Sequence, residues 1–141
     1  MKKLLFSGTE NSITTDLMLA LFRVFAGLSL ALAHGFKKIP PSEGFIEHTG
    51  DLGFPMQEFF AYSAGLAEFA GGLLLAFGLF TRPAAFFVAI TMFVAGFINH
   101  AGDPFGKAEK AYIYFAIAIL YLVLGSGRFS GDSWARKRLN I

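Results

Sequence analysis

Four apolar stretches dominate the chain, separated by short polar segments rich in glycine and proline. The first, LMLALFRVFAGLSLALA (17–33), is long enough to cross a bilayer once its flanks are added. Thr14, Thr15 and Asp16 offer it an N-cap, and Pro40-Pro41 forbids its continuation. The pattern predicts helices over about 17–36, 58–80, 83–99 and 108–124, with polar tails at 1–15 and 129–141. The connection KIPPSEGFIEHTGDLGFPMQ (38–57) carries Phe45, Ile46, Leu52 and Phe54, apolar enough for a short amphipathic piece on a membrane surface. The second helix holds Gly65, Gly71, Gly72 and Gly78, small residues that let helices approach closely in lipid. Pro83 falls in the first turn of the third helix, and HAGDP (100–104) ends it. The expected fold is an all-α membrane protein, a four-transmembrane-helix bundle forming one domain.

Composition sharpens this picture. Of 141 residues, 55% are hydrophobic, 18 are Phe and only 16% are charged, against about a quarter charged in an ordinary soluble domain. The absence of cysteine excludes disulfides, thiolate metal sites and cysteine nucleophiles. A net charge of +2 is too small to argue for nucleic acid. The opening MKKLLF resembles a signal peptide only briefly, because SGTENSITTD follows at once without a cleavage site. Lys2, Lys3, Arg82, Arg128, Arg136, Lys137 and Arg138 lie on the side of the tails and the 81–83 turn; Lys37, Lys38, Lys107 and Lys110 lie opposite. That asymmetry places both termini in the cytoplasm of a multi-pass bacterial inner-membrane protein. Trp134 reads as an interfacial anchor.

The candidate chemistry lies in the polar residues within the apolar runs. A guanidinium in hydrocarbon must find a protein partner, so Arg23 needs an acceptor. Helical geometry puts His34, about three turns on, along the face of Arg23, with Gly27, Leu30 and Lys37 on or near it. Glu68 sits mid-helix between Gly65 and Gly72, at a depth within a few ångströms of Arg23, so a structural ion pair of Arg23 with Glu68 is expected. A second cluster gathers at the outer helix ends: His34 and Lys37, Asn99 and His100, then Glu109, Lys110 and Tyr112. These should converge on one mouth. Lys38, Lys107 and Lys110 read as ordinary interfacial charges. Two histidines at matching depth could hydrogen-bond a quinone or phenol carbonyl, relay a proton, or bind a metal. Metal is the weakest of the three, since no local ligand pattern supports it. No phosphate-loop, dinucleotide or Ser-His-Asp pattern appears.

In this order and spacing, the arginine of helix one, HGFKK (34–38), LGFP (52–55), EFAGG (68–72), GLFTR (78–82), the helix ending in His100 and GRFSGD (127–132) resemble the DoxX family of small four-helix bacterial membrane proteins. The resemblance implies a plasma-membrane protein linked to redox chemistry. Relatives resemble subunits of quinone-linked sulfur oxidation and quinol oxidase systems, and others associate with oxidative-stress proteins. It carries over Arg23, His34, Lys37, Glu68, Arg82 and His100 as functional positions, and it implies no intrinsic cofactor.

The leading expectation is a protein that binds a quinone-like or small aromatic molecule. Arg23, His34, Lys37, Glu68, Asn99, His100 and Tyr112 would bind it. In an enzymatic version, a quinone-linked oxidoreductase subunit, His34, His100 and Glu68 would be catalytic and electrons would come from a redox protein partner. The rivals are a non-enzymatic accessory subunit of a larger membrane complex and a small transporter or proton path, which would need a homo-oligomer.

Overall fold

A computed structural model describes residues 12–139; Lys2, Lys3, the signal-like opening and most of the N-terminal tail lie outside the described residues. Helix α1 runs over Ile13–Ser29 and continues through a π-helical stretch, Leu30–Gly35, and a 3-10 turn, Phe36–Lys38. Then follow α2 (Glu43–Asp51), α3 (Gln57–Phe77), α4 (Thr81–Phe93, continuing as a π-helical stretch over Val94–Asn99), α5 (Phe105–Leu124) and α6 (Gly131–Leu139). Every regular element among the described residues is helical. Among the described residues, three helices are long and apolar enough to cross a membrane: Ile13–Lys38, Gln57–Phe77 and Thr81–Asn99. Helix α5 is 20 residues long but carries Lys107, Glu109 and Lys110 in its opening turns.

Several boundaries differ from expectation for local reasons. Ser12, not the Thr14–Asp16 group, caps α1 by accepting the Thr15 amide. Asp16 is instead buried and pairs with Arg128 at 2.9 Å. Helix α3 stops at Phe77 because Gly78 takes a left-handed conformation (φ 64°), and the Leu79 and Gly78 amides fold back on the Leu74 and Leu75 carbonyls. The amphipathic piece in the long connection is α2, and the polar tail from residue 129 carries a helix of its own, α6.

Helix α3 packs on α1, α2 and α4, and α4 packs along α5. The core joins Leu30, Leu75, Ala85, Val88, Met92, Ala118 and Tyr121. Tyrosines bridge α1 and α5: the Tyr121 hydroxyl donates to the Leu19 carbonyl at 2.7 Å, and Tyr114 meets His34 edge-on. Outward-facing side chains such as Phe22, Phe25, Phe86, Phe87 and Phe93 are exposed, the pattern of helices solvated by lipid.

Glycine sets the α1–α3 distance. A Cβ added to Gly27 would lie 2.5 Å from the Gly72 carbonyl oxygen, and one added to Gly35 would collide with the Phe69 backbone. Two backbones this close gain dispersion contacts that no larger residue permits. Gly27→Leu should therefore lower stability in detergent by at least the ~1–3 kcal/mol typical of an overpacked contact. Gly106→Ala, where a Cβ meets open space, should leave the melting curve unchanged.

Candidate functional site

The sequence places charges in apolar helices, and the structure resolves them into two separate polar centres, one at each end of the bundle. At the end holding the 78–81 turn and α6, the buried Arg23 guanidinium donates to the Ser126 carbonyl and, at 2.9 Å, to the Phe129 carbonyl. These carbonyls follow the C-terminus of α5, where backbone acceptors lack helical partners. Asp132, also buried, accepts from the Phe80 amide at 2.7 Å and from the Thr81 amide and hydroxyl at 3.0 and 2.9 Å. It thereby caps α4 and holds Phe80 in its left-handed conformation (φ 46°). Arg82 donates to the Val123 carbonyl. This centre ties residues 126–133 to α1 and α4.

The second centre lies at the opposite end. Lys38 Nζ donates to Glu68 Oε1 at 2.6 Å. The carboxylate is 1% exposed, and its other oxygen, Oε2, accepts no hydrogen bond from the described residues. Gly65 admits the pair: a Cβ there would fall 2.6 Å from the Lys38 carbonyl oxygen, so only glycine lets the end of α1 settle onto α3. Lys38 also sits over the Phe45 ring, 5.2 Å from its centroid.

Beside this pair opens a cavity of about 390 Å³ between α3 and α4, roofed by α2. Phe45, Phe54, Phe59, Phe60 and Phe87 supply aromatic walls, with Ala64 and Ala67 leaving space between them. Phe59, Phe87 and Ile90 are exposed, so the rim faces the lipid side of the bundle. Besides the hydroxyls of Thr49, Ser63 and Thr91, two polar groups line the cavity. One is Lys38 with Glu68; the other is His48 of α2, whose Nε2 lies 2.5 Å from Asn99 Oδ1. From there a chain leads outward: Asn99 Nδ2 lies 3.4 Å from His100 Nε2, and His100 Nδ1 lies 2.9 Å from Asp103 Oδ2. The His100 hydrogen bond, helped by Lys107, holds the Asp103 carboxyl below the ordinary carboxylate range.

The expected site residues are thus divided. Glu68 and Asn99 line the cavity, and His100 stands behind Asn99. Arg23 does not pair with Glu68. Gly35 lies against Glu68 while Arg23 lies against Gly78, ten residues along α3, about 15 Å by the helix rise. His34 turns toward Tyr114 of α5, with ring centroids 5.7 Å apart. Lys37 is exposed on the 3-10 turn. Tyr112 gives its hydroxyl to the Gly96 carbonyl at 3.0 Å and packs between Phe97 and Phe105. The cavity residues that sequence reasoning passed over are Lys38 and His48.

One cause explains most of the change. The π-helical stretch at Leu30–Gly35, with the Phe36 amide reaching back to the Ala31 carbonyl, adds a residue to one turn. The phase slips by one position, so the buried stripe runs Arg23, Gly27, Ala31, Gly35 instead of reaching His34. Lys38 then takes the place expected of Lys37.

Together the fold and the cavity describe a small helical membrane protein with a polar pair at the edge of a lipid-side aromatic pocket. It belongs to the DoxX family, whose model matches residues 18–101, a span that contains every cavity-lining residue. A curated Bacillus subtilis relative, "Putative oxidoreductase CatD", is 36% identical over 110 residues, covering 77% of this chain and 79% of the relative. A Haemophilus influenzae protein described as uncharacterized is 32% identical over 91 residues, 60% of this chain and 65% of that one. No solved structure matches the chain at a significant level.

Removing one member of the Lys38–Glu68 pair should cost more than removing both. Lys38→Met strands a carboxylate that is 2% exposed. It should destabilise by somewhat less than the ~3–5 kcal/mol of a fully buried pair, because the Lys38 side chain is itself 32% exposed. Lys38→Met combined with Glu68→Gln should recover most of the loss, read as the coupling in a double-mutant cycle of detergent melts.

Proposed function

We propose that this protein binds a quinone-like or other small aromatic molecule in the cavity between α3 and α4, in the service of membrane redox chemistry. The observation that carries this reading is the cavity itself, about 390 Å³ with aromatic walls and a few polar side chains. Its size and lining match those of small-molecule sites, which are mostly apolar with a few placed polar groups. An exposed rim of Phe59, Phe87 and Ile90 suits a ligand that arrives from the bilayer. The relative named as an oxidoreductase supports the redox class.

The same reading takes α5 as a fourth span. Its 20 residues extend about 30 Å, it packs along α4, and its charges cluster at one end. Both termini then lie in the cytoplasm of the inner membrane, by the lysine and arginine count, and the cavity opens in the outer half of the bilayer. Reducing a quinone to its hydroquinone takes two electrons and two protons. A redox protein partner supplies the electrons. Lys38, paired with Glu68, delivers one proton to one ligand oxygen and His48, held by Asn99, delivers the other, and both are reprotonated from the outer aqueous side. His48 thereby takes the role first expected of His34 and His100.

Ala64→Phe would place a ring in the cavity without touching the ion pair. Titrating purified protein with decyl-ubiquinone and decyl-ubiquinol should show saturable wild-type binding and at least a roughly tenfold loss in Ala64→Phe, the scale of a blocked pocket. Phe25→Ala, on the exposed face of α1, should bind as wild type. Undiminished binding by Ala64→Phe would remove the cavity from the account.

A further inference from the structure

We propose that α6 lies along the membrane surface and binds the headgroups of anionic phospholipids through Lys137 and Arg138, with Trp134 seated beside them at the interface. This surface stands at the opposite end of the bundle from the cavity and is independent of any ligand held there.

The chain fixes the level of α6. The Asp132 amide donates to the Gly78 carbonyl at 2.8 Å, and the Asp132 carboxylate takes the Phe80 and Thr81 amides. Gly131 lies against the Leu79 side chain. Residues 78–81 join α3 to α4, two of the helices long and apolar enough to cross a membrane. The start of α6 is therefore held where a bilayer around those helices would end. From there its nine residues extend about 13 Å. Asp132 and Ser133 are buried against the bundle, whereas Trp134 is 62% exposed and Lys137 and Arg138 are exposed too. The two cations follow Trp134 by three and four residues, so all three share one face. Arg138 lies over the Trp134 ring, 4.9 Å from its centroid. An exposed indole with cations beside it, at the end of apolar helices, suits an interface: the ring meets the glycerol and upper acyl region, and the charges meet phosphate.

Charge decides which lipid. None of the ion pairs among the described residues involves Lys137 or Arg138. The acidic side chains described at this end, Asp16 and Asp132, are buried and engaged by Arg128 and by backbone amides. Among the described residues, the exposed charge here is thus all positive. The opposite end is mixed, with Glu43, Glu47, Asp51, Glu58, Asp103 and Glu109 all exposed. A zwitterionic headgroup brings its own cation to the phosphate, whereas an anionic headgroup leaves that charge for the protein, and basic residues beside a span gain from a negative surface. An acidic protein would match the charge as well, but not the placing of Trp134 at the edge of the hydrocarbon.

Trp134 is the only tryptophan in the sequence, so its fluorescence reports on α6 directly. The full chain is reconstituted in mixed bilayers of phosphatidylcholine and phosphatidylglycerol of fixed composition. Bromine quenchers sit on the phosphatidylglycerol in one preparation and on an equal amount of phosphatidylcholine in the other. Brominated phosphatidylglycerol should quench Trp134 more strongly, by an amount that corresponds to a roughly tenfold or greater preference, since each basic residue at an anionic surface contributes about fivefold. Molar salt should shrink the preference severalfold. Lys137→Gln combined with Arg138→Gln should bring it close to unity, whereas Lys107→Gln combined with Lys110→Gln, at the far end, should leave it unchanged. Inorganic phosphate added at constant ionic strength should also leave it unchanged; loss of the preference there would make the occupant a free anion and overturn the lipid assignment. Equal quenching by the two lipids, or a preference that survives in the Lys137 and Arg138 double variant, would overturn it too. Quenching by neither lipid would put α6 in water, with an acidic protein as the remaining occupant, and would overturn it equally. The wild-type comparison stands even where a variant fails to fold.

Discussion

The structure depends on how a carboxylate is held inside an apolar helix bundle. Glu68 lies on α3 with glycines on both sides, and its charge would be intolerable there without a partner. Lys38 supplies one, and to reach it α1 must come down tightly onto α3. Gly27, Gly35, Gly65 and Gly72 allow that approach, each at a point where a Cβ would meet the backbone of the other segment. The ion pair and the glycine seam are therefore two aspects of one contact. Lys38 is also where the chain leaves α1 for the connection that forms α2, so the pair positions the roof of the cavity.

The two polar centres divide their work. At the α6 end, almost every charge meets backbone or a fixed counter-charge: Arg23 meets carbonyls, Asp132 meets amides and Asp16 meets Arg128. Such an arrangement suits a fastening that keeps the end of α5 and the start of α4 together. Each end leaves buried polar atoms unmet among the described residues, Arg23 Nε and Ser126 Oγ at the α6 end and Glu68 Oε2 at the α2 end, but only at the α2 end do the paired charges, Lys38 and Glu68, line the cavity of about 390 Å³. That contrast directs the functional reading to Glu68 and Lys38 rather than Arg23, although all three are charges within apolar helices.

Much of this was legible in the sequence. The apolar runs, the glycine-rich second span, the short amphipathic piece before it and a buried, paired charge at Glu68 follow from spacing and from the expense of buried charge. The partner of Glu68 did not follow. Depth arithmetic on regular helices paired it with Arg23 and placed His34 and Lys37 on the inner stripe. The π-helical stretch at Leu30–Gly35 shifts the phase by one residue, and LALAHG carries no feature that announces it. Gly35 and Lys38 consequently take the inward positions. His48 was hidden for another reason: its role depends on α2 folding back over α3 and α4 to meet Asn99, a tertiary contact that local pattern does not encode. Arg128 and Asp132, visible only as the end of a tail motif, became ligands of the fold because residues 126–133 return to the bundle.

The central claim is that the cavity beside Lys38 and Glu68 holds a small oxygen-bearing aromatic molecule in the membrane. The most direct measurement is mass spectrometry of the protein purified in mild detergent from its native membrane, with Ala64→Phe prepared in parallel. The account predicts a near-stoichiometric aromatic molecule carrying ring oxygens in the wild type and its absence from the variant. Wild-type protein that carries only bulk phospholipid, or the same molecules in equal amount in both preparations, would contradict it.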